Sequence, residues 1–323
     1  MPSRVRELGV VPGSLPTGPL NAITDVPGIR VGQTTIDDGG DLHTGVTAIV
    51  PDGYAAGLPA AIAVGNGYGK LVGSTQVDEL GVLETPVLLT GTLSVFRVAD
   101  ALLTWLLDRD PTATSLNPVV GETNDGFLSD IRRRPITPQH VFDALDSAST
   151  DLPAEGCVGA GTGTGALGFK AGIGTSSRQV SGGTVGALVQ SNFSGTLTVL
   201  GTPIHRDPVV EPEGNSCMIV VATDLPLDAR QLGRLARRAI FAMARVGSDY
   251  SPGSGDYAIA FSTARTGEGI QDRLLRNAFH AVTESTEEAL LNSVTMARTV
   301  TGFGGNTQYA VPLERVSEAS RRG

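Results

Sequence analysis

The chain has 323 residues, a formal net charge of -9, 40% hydrophobic residues and 18% charged residues, a balance typical of a globular protein rather than a disordered one. The acidic balance argues against a nucleic-acid partner, and two cysteines are too few for a disulfide framework. No apolar run approaches the ~20 residues that span a bilayer, so we expect a cytoplasmic protein with no membrane partner, metal or cofactor.

The first half of the chain alternates segments that are typical of strands and helices. Apolar positions in Thr92–Leu107 recur at helical spacing, and Asp108 and Pro111 end this first predicted helix. A second predicted helix spans Thr137–Ala148 and opens with Pro138. Apolar runs of strand length precede or separate these helices at Ile29–Val31, Gly45–Val50, Ala60–Val64, Pro86–Leu89 and Pro118–Val120.

The second half continues the alternation. Amphipathic spacing predicts a helix over Asp228–Val246, closed by Gly247, and a long helix over Gln271–Met296 that contains a break or bend. Predicted strands lie at Val185–Gln190, Thr196–Leu200, Cys217–Ala222 and Ala258–Ser262. Because the strands and helices alternate without a repeat or a linker, the sequence predicts a single layered α/β domain over residues 1–323.

The junction at Ser216 is the first segment with a candidate catalytic residue. A polar, turn-forming stretch ends at Asn215, and a buried strand begins directly afterwards. If the bond between Asn215 and Ser216 is cut, Ser216 gains a free α-amine beside its hydroxyl. An α-amine has an ordinary pKa near ~8, so it is suited to accept a proton near neutral pH. Position alone favours a serine that simply opens a strand.

Two further polar segments lie beside predicted strands. Ser254 and Asp256 occupy a glycine-rich turn, in which the carboxylate is suited to orient a neighbouring hydroxyl or amine. Glu122 and Asn124 lie in an acidic loop at residues 121–126 that is suited to bind a substrate ammonium group. Ordinary turns would also explain both segments.

Glycine-rich segments and one asparagine complete the set. Residues 159–165 lack the GK[ST] ending of a phosphate-binding loop, which favours a loop that lines a pocket. Tyr68 and Lys70 follow glycines and are candidates to line a site, although a plain turn explains this segment equally well. Asn192 separates two apolar runs, where its amide is suited to donate a hydrogen bond to an oxyanion.

Together these segments resemble the DmpA family of L-aminopeptidase/D-amino-acid esterases and β-peptidyl aminopeptidases. Seven blocks in one order carry the resemblance, including GNGYGK, GETNDGFLSDIR, VQSNFSG and GSGDYAIAFSTA. The blocks cover residues 16–32, 65–70, 121–132, 170–178, 189–195, 215–227 and 253–264.

The resemblance implies a four-layer αββα sandwich of the Ntn-hydrolase-like type shared with ornithine acetyltransferases. It implies self-cleavage between Asn215 and Ser216 into parts 1–215 and 216–323, with Ser216 as the nucleophile. Asn192 matches the oxyanion-hole asparagine, and Ser254 and Asp256 match the family's second serine and its acid. Glu122 matches the acid that binds the substrate's amine, and Asn124 and Tyr68 are further candidates for substrate contact. The implied activity is release of N-terminal α- or β-amino acids from short peptides, amides and esters by a homotetramer.

Three alternative functions and one alternative cleavage position stay open at this point. An acyltransferase would use the same nucleophile, although ornithine acetyltransferases carry a threonine there. A non-enzymatic nucleotide-binding module would use residues 159–165. A processed but catalytically silent scaffold would use neither the nucleophile nor this loop. A shifted register would place cleavage between Ser216 and Cys217.

Overall fold

The computed structural model describes residues 1–206, 216–265 and 267–321. Six α-helices are described: α1 Ser74–Leu80, α2 Val95–Leu107, α3 Pro138–Asp146, α4 Ala229–Arg245, α5 Leu275–Thr295 and α6 Leu313–Ser320. The described strands are β1 Ile29–Asp37, β2 His43–Pro51, β3 Leu58–Gly67, β4 Leu71–Val72, β5 Val82–Leu83, β6 Val87–Gly91, β7 Val119–Thr123, β8 Gly165–Ala166, β9 Phe169–Lys170, β10 Ile173–Val180, β11 Gly183–Asn192, β12 Thr198–Val199, β13 Thr202–Pro203, β14 Ser216–Thr223, β15 Gly255–Ser262, β16 Val300–Thr301 and β17 Thr307–Gln308.

Two large sheets form the centre of the molecule. The first has the order β1-β2-β6-β7-β4, and the second has the order β10-β11-β14-β15-β3-β5. Most neighbouring strands are antiparallel, but β6 pairs with β7 and β14 pairs with β15 in parallel. A parallel pair needs a long crossover connection, and α2 and α4 supply the two crossovers.

Three apolar clusters separate four layers. One cluster lies between the sheets, a second packs α2 and α3 on the first sheet, and a third packs α4 and α5 on the second sheet. Strand β14 shows how one run serves two clusters: Met218 and Val220 belong to the inter-sheet cluster, and Cys217 and Ile219 belong to the helix-side cluster. A strand buried on both faces reads as a continuous apolar run. The predicted four-layer αββα arrangement is confirmed.

Most predicted elements are confirmed, with two corrections. The strand predicted at Thr196–Leu200 is wrong beyond the two residues of β12. The amides of Thr196 and Thr198 instead donate to the carbonyls of Gly247 and Val246, beyond the end of α4, at 3.0 and 2.9 Å. The predicted break in Gln271–Met296 lies at its start, where a 3₁₀ turn at Asp272–Leu274 precedes an uninterrupted α5.

A buried ion cluster fastens the N-terminal segment to α5. The Arg178 side chain is fully buried and pairs with Glu284 at 3.1 Å and with Glu288 at 2.6 Å. Glu288 also accepts from Arg6 at 2.7 Å and from Asn21 at 2.5 Å. Buried charges are tolerated only when they are paired in this way.

No helix in the described part of the chain is long and apolar enough to cross a membrane.

Candidate active site

Ser216 is the first residue of β14, at the centre of the second sheet. In the two ladders it pairs with Asn192, the last residue of β11, and with Gly255, the first residue of β15. Side chains alternate along a strand, so Ser216 shares the inter-sheet face with Met218. Its side chain therefore points toward the first sheet, and the residue is only 4% exposed.

A cavity of about 520 Å³ opens beside this serine. Its lining includes Ser216, Glu122, Asn124, Tyr68 and Lys70. The structure therefore brings the predicted nucleophile together with all three predicted substrate contacts, which come from segments far apart in the sequence.

Glu122 presents a buried carboxylate to this cavity. It lies inside β7 rather than in a loop, so the predicted loop at residues 121–126 is wrong for its first three residues. Its Oε1 accepts the Lys70 amide at 3.0 Å and lies 3.5 Å from Lys70 Nζ. Its Oε2 is buried and has no hydrogen-bond partner among the described residues. An unpaired buried carboxylate oxygen is costly, so this atom is suited to receive a cation.

A glycine allows this carboxylate to sit where it does. A Cβ at Gly69 would lie 2.9 Å from Glu122 Oε1, which is closer than side-chain atoms normally approach. The side chain of Tyr68, by contrast, is 73% exposed at the mouth of the cavity. Its backbone amide donates to the Ser254 carbonyl at 3.1 Å and joins this segment to β15.

Asn192 is held at both ends of its amide. Its Oδ1 accepts the Gly165 amide at 3.1 Å, and its Nδ2 donates to the Asn124 carbonyl at 3.0 Å. A carboxamide nitrogen carries two hydrogens, so a second donor remains for a ligand. The Asn124 side chain accepts the Gly126 amide at 2.9 Å and thereby closes the turn that presents its carbonyl.

Ser254 and Asp256 form a hydrogen-bonded pair next to β14. Ser254 Oγ donates to Asp256 Oδ1 at 2.7 Å, and Asn66 Nδ2 donates to Asp256 Oδ2 at 3.0 Å. Burial raises the pKa of Asp256, and the bonds from Ser254 and Asn66 partly offset that rise. Asp256 lies on the helix-side face of β15 with Ala258, whereas the Ser216 side chain lies on the inter-sheet face.

Asn66 is a functional candidate that the sequence reasoning did not single out. It anchors Asp256, and its Nδ2 also donates to the Tyr250 carbonyl at 3.1 Å. Asn66 lies within the GNGYGK block at residues 65–70, so that block contained a signal. The pairing with Asp256 arises from the β3–β15 ladder, which periodicity does not reveal.

The glycine-rich residues 159–165 pack closely against neighbouring backbone, and Gly163 and Gly165 also line a cavity of about 390 Å³. A Cβ at Gly161 would lie 2.4 Å from the Ile173 amide, and one at Gly163 would lie 2.1 Å from the His43 carbonyl. Close backbone contact therefore accounts for these two glycines.

Within the part of the chain that the structure describes, no group of three or more His, Cys, Asp or Glu side chains is arranged to hold a metal ion.

The position of Cys217 bears on the cleavage register. Its thiol is fully buried on the helix-side face, and burial raises its pKa well above the ordinary value. A thiol in that state is a poor nucleophile, which argues against cleavage between Ser216 and Cys217. Asn215, the other half of the expected cleavage site, lies outside the described residues.

Comparison with known proteins places this geometry in context. The model of peptidase family S58 matches residues 21–308. The chain is 39% identical to the β-peptidyl aminopeptidase BapA of Sphingosinicella xenopeptidilytica, over 97% of this chain and 90% of that protein.

Two solved structures are similar over almost the whole chain. A β-aminopeptidase from Burkholderia sp. has a TM-score of 0.90 at 35% identity and covers 99% of both chains. The L-aminopeptidase D-Ala-esterase/amidase from Ochrobactrum anthropi also has a TM-score of 0.90 at 35% identity, over 99% of this chain and 98% of that one. It is described as a prototype for the serine aminopeptidases and a new variant among the Ntn hydrolase fold.

Proposed function

This chain belongs to peptidase family S58 and is a serine aminopeptidase with an Ntn-hydrolase fold, and we propose that Ser216 becomes its nucleophile when the bond to Asn215 is cut. The family matches confirm the resemblance to DmpA. One observation carries the proposal for the site: Ser216 and Glu122 line the same cavity, and Glu122 Oε2 is buried without a hydrogen-bond partner among the described residues. A hydroxyl next to a cation-binding carboxylate is what an enzyme that acts on free N-termini requires.

Maturation is the first step of the proposal. Ser216 Oγ attacks the Asn215 carbonyl carbon, and the amide nitrogen of Ser216 leaves as an amine, which gives an ester between the two residues. Water hydrolyses the ester and restores the hydroxyl. The products are an α part, 1–215, and a β part, 216–323, whose N-terminus is the Ser216 amine.

Turnover uses the same hydroxyl on a substrate. Ser216 Oγ attacks the substrate carbonyl while its own α-amine, or Ser254, accepts the proton and passes it to the leaving amine. Asn192 and a backbone N–H stabilise the oxyanion, and Asp256 orients Ser254 through the 2.7 Å hydrogen bond. Water then releases the acyl group and regenerates the free enzyme.

The substrate class follows from Glu122. Its buried carboxylate pairs with the substrate ammonium, so a short peptide, amide or ester with a free amino-terminus is the expected substrate. Asn124 and Tyr68 line the same cavity and are the further residues expected to contact the amino-terminal residue of the substrate. Similar proteins are described as β-peptidyl aminopeptidase and as L-aminopeptidase D-Ala-esterase/amidase, which supports both α- and β-amino acids as candidates.

The test of the nucleophile is the variant Ser216→Ala. We expect wild-type protein to resolve into two fragments on a denaturing gel, and the variant to stay as one chain of 33.3 kDa without activity. Ser251→Ala is the matched control, because the hydrogen bonds that the structure describes for Ser251 use its backbone amide and carbonyl. If Ser216→Ala still yields both fragments, the hydroxyl does not perform the cleavage.

The assembly is a further proposal. The homotetramer expected from the family, and the absence of a nucleic-acid partner expected from the net charge of -9, stay predictions. Sedimentation equilibrium of the processed protein tests the tetramer, and a mass of one α part plus one β part would contradict it.

A further inference from the structure

A second cavity adjoins the one that contains Ser216. Its volume is about 390 Å³, and it shares Asn124 and Ile131 with the first cavity. Asn192 lines only the second cavity. The hydrogen-bonded pair of Asn192 and Asn124 therefore stands at the boundary between the two spaces. A group bound at this boundary has one cavity on either side of it.

The wall of the second cavity combines aromatic and aliphatic side chains with uncharged polar ones, among them Asn306 and Gln308. It includes Phe127, Phe193, Phe303, Leu128 and Leu167, and none of the described residues that line it carries a charge. Phe193, Leu128 and Leu167 are buried at its base, whereas Phe303 is 39% exposed at its rim. The first cavity, by contrast, contains the charged pair of Glu122 and Lys70. The two spaces therefore suit chemically different groups.

Hydrogen bonds fix the shape of this wall. The Leu167 amide donates to the Phe193 carbonyl at 2.8 Å, and the Phe303 amide donates to the Leu128 carbonyl at 2.9 Å. Asn306 Nδ2 donates to the Phe127 carbonyl, also at 2.9 Å. Preformed pockets of this kind bind apolar groups without first ordering their walls.

The direction of a bound substrate follows from the proposed function, on which this inference rests. In an α- or β-amino acid, one or two carbons separate the amine from the carbonyl. With the amine at Glu122 and the carbonyl at Ser216 and Asn192, the acyl residue occupies the first cavity. Chain beyond the carbonyl must then continue past Asn192, where the second cavity opens.

We propose that the second cavity binds the side chain of the leaving residue, the one that follows the scissile bond, and that it selects aromatic and branched aliphatic groups there. Burial of such a side chain raises kcat/KM by on the order of 10- to 100-fold over a glycine leaving group. The preference appears in kcat/KM, which reports acylation. Substrates that share an acyl group share the deacylation step, in which the leaving residue is already gone.

The experiment varies one side of the substrate at a time. Peptide amides with one acyl residue and either glycine or phenylalanine as the leaving residue are assayed with wild-type enzyme, Phe303→Ala and Phe127→Ala. Phe241→Ala is the matched control, since that ring is 61% exposed on α4, away from both cavities. We expect the phenylalanine-to-glycine ratio of kcat/KM to fall about tenfold in the two cavity variants and to stay unchanged in the control.

Each other result overturns the inference. A wild-type ratio near one shows that the cavity does not contact the leaving residue. An equal fall for both substrates shows that Phe303 and Phe127 act on folding alone. A ratio that responds only when the acyl side chain is varied assigns the cavity to the acyl residue. If wild-type enzyme hydrolyses neither peptide amide, the proposed function itself is contradicted. Failure of the proposed function is therefore distinguishable from failure of the inference about the second cavity.

Discussion

Replacement of Glu122 by glutamine removes one charge and little else. The carboxamide oxygen of the Glu122→Gln variant would still accept the Lys70 amide, which Glu122 Oε1 accepts at 3.0 Å. The charged carboxylate becomes a neutral carboxamide of nearly the same size, so the variant tests the proposed ammonium site without creating a cavity. Lys70 Nζ, 3.5 Å from Oε1, belongs to a side chain that is 40% exposed, and it stays solvated in the variant.

The magnitude follows from the burial of this carboxylate. Glu122 is 2% exposed, so water competes little for the pair with a substrate ammonium. A hydrogen bond to a charged group contributes about 1.5–3 kcal/mol, which corresponds to roughly 10- to 150-fold in kcat/KM. We expect a loss in that range for substrates that carry a free amine.

The assay compares an aminoacyl ester with its analogue that lacks the amine. Wild-type enzyme should prefer the amine-bearing ester, and Glu122→Gln should lose that preference while it retains its rate on the analogue. Glu79→Gln is the control, because Glu79 is exposed on α1. An equal fall on both esters, or no fall on either, would refute the assignment of Glu122 to the ammonium.

Three further predictions concern catalysis, stability and pH. Asn192→Ala should lower kcat by roughly 10²–10³, measured by steady-state kinetics, because an oxyanion donor is lost. Glu288→Ala should lower the free energy of unfolding in urea by about 3 kcal/mol, because Arg178 stays buried with one partner fewer. Asp125→Asn should flatten stability against pH. Burial raises the pKa of Asp125 to about 6, so the native state keeps a proton that the unfolded chain releases, and the contribution of Asp125 to wild-type stability falls by about 2 kcal/mol between pH 4 and 6.

Controls separate these effects from general damage. Asn192→Ala should still unfold in one cooperative thermal transition, and unchanged kcat would remove Asn192 from the oxyanion site. Glu318→Ala, at an exposed glutamate of α6, should leave the unfolding free energy unchanged. For Asp125, wild-type and Asp125→Asn stability curves that run parallel between pH 4 and 6 would contradict the raised pKa of this carboxyl.

Local sequence predicts the elements of this fold better than their arrangement. Apolar spacing finds α2, α4 and β14, because each buries a regular stripe or a continuous run. It does not find β10, whose buried residues include Thr175 and the fully buried Arg178. Polar residues inside a sheet carry no periodic apolar signal. The strand order also escapes such reasoning, since the family resemblance alone implied the αββα layers.

In the functional site, too, local sequence predicts individual residues better than their arrangement in space. Ser216, Glu122 and Asn192 were singled out as polar residues beside strands, and the resemblance supplied their roles. The second cavity could not be predicted, because Phe127, Phe193 and Phe303 meet only through long-range packing. The position of Asp256 on the face opposite the Ser216 side chain likewise depends on strand register, which a one-residue slip would reverse.

Mass spectrometry of the purified, active protein, combined with N-terminal sequencing, is the most direct test of the central claim. We expect two polypeptides, one that ends at Asn215 and one that starts at Ser216. Full activity in a single intact chain would contradict the central claim, as would a second polypeptide that starts at Cys217 or at any other residue.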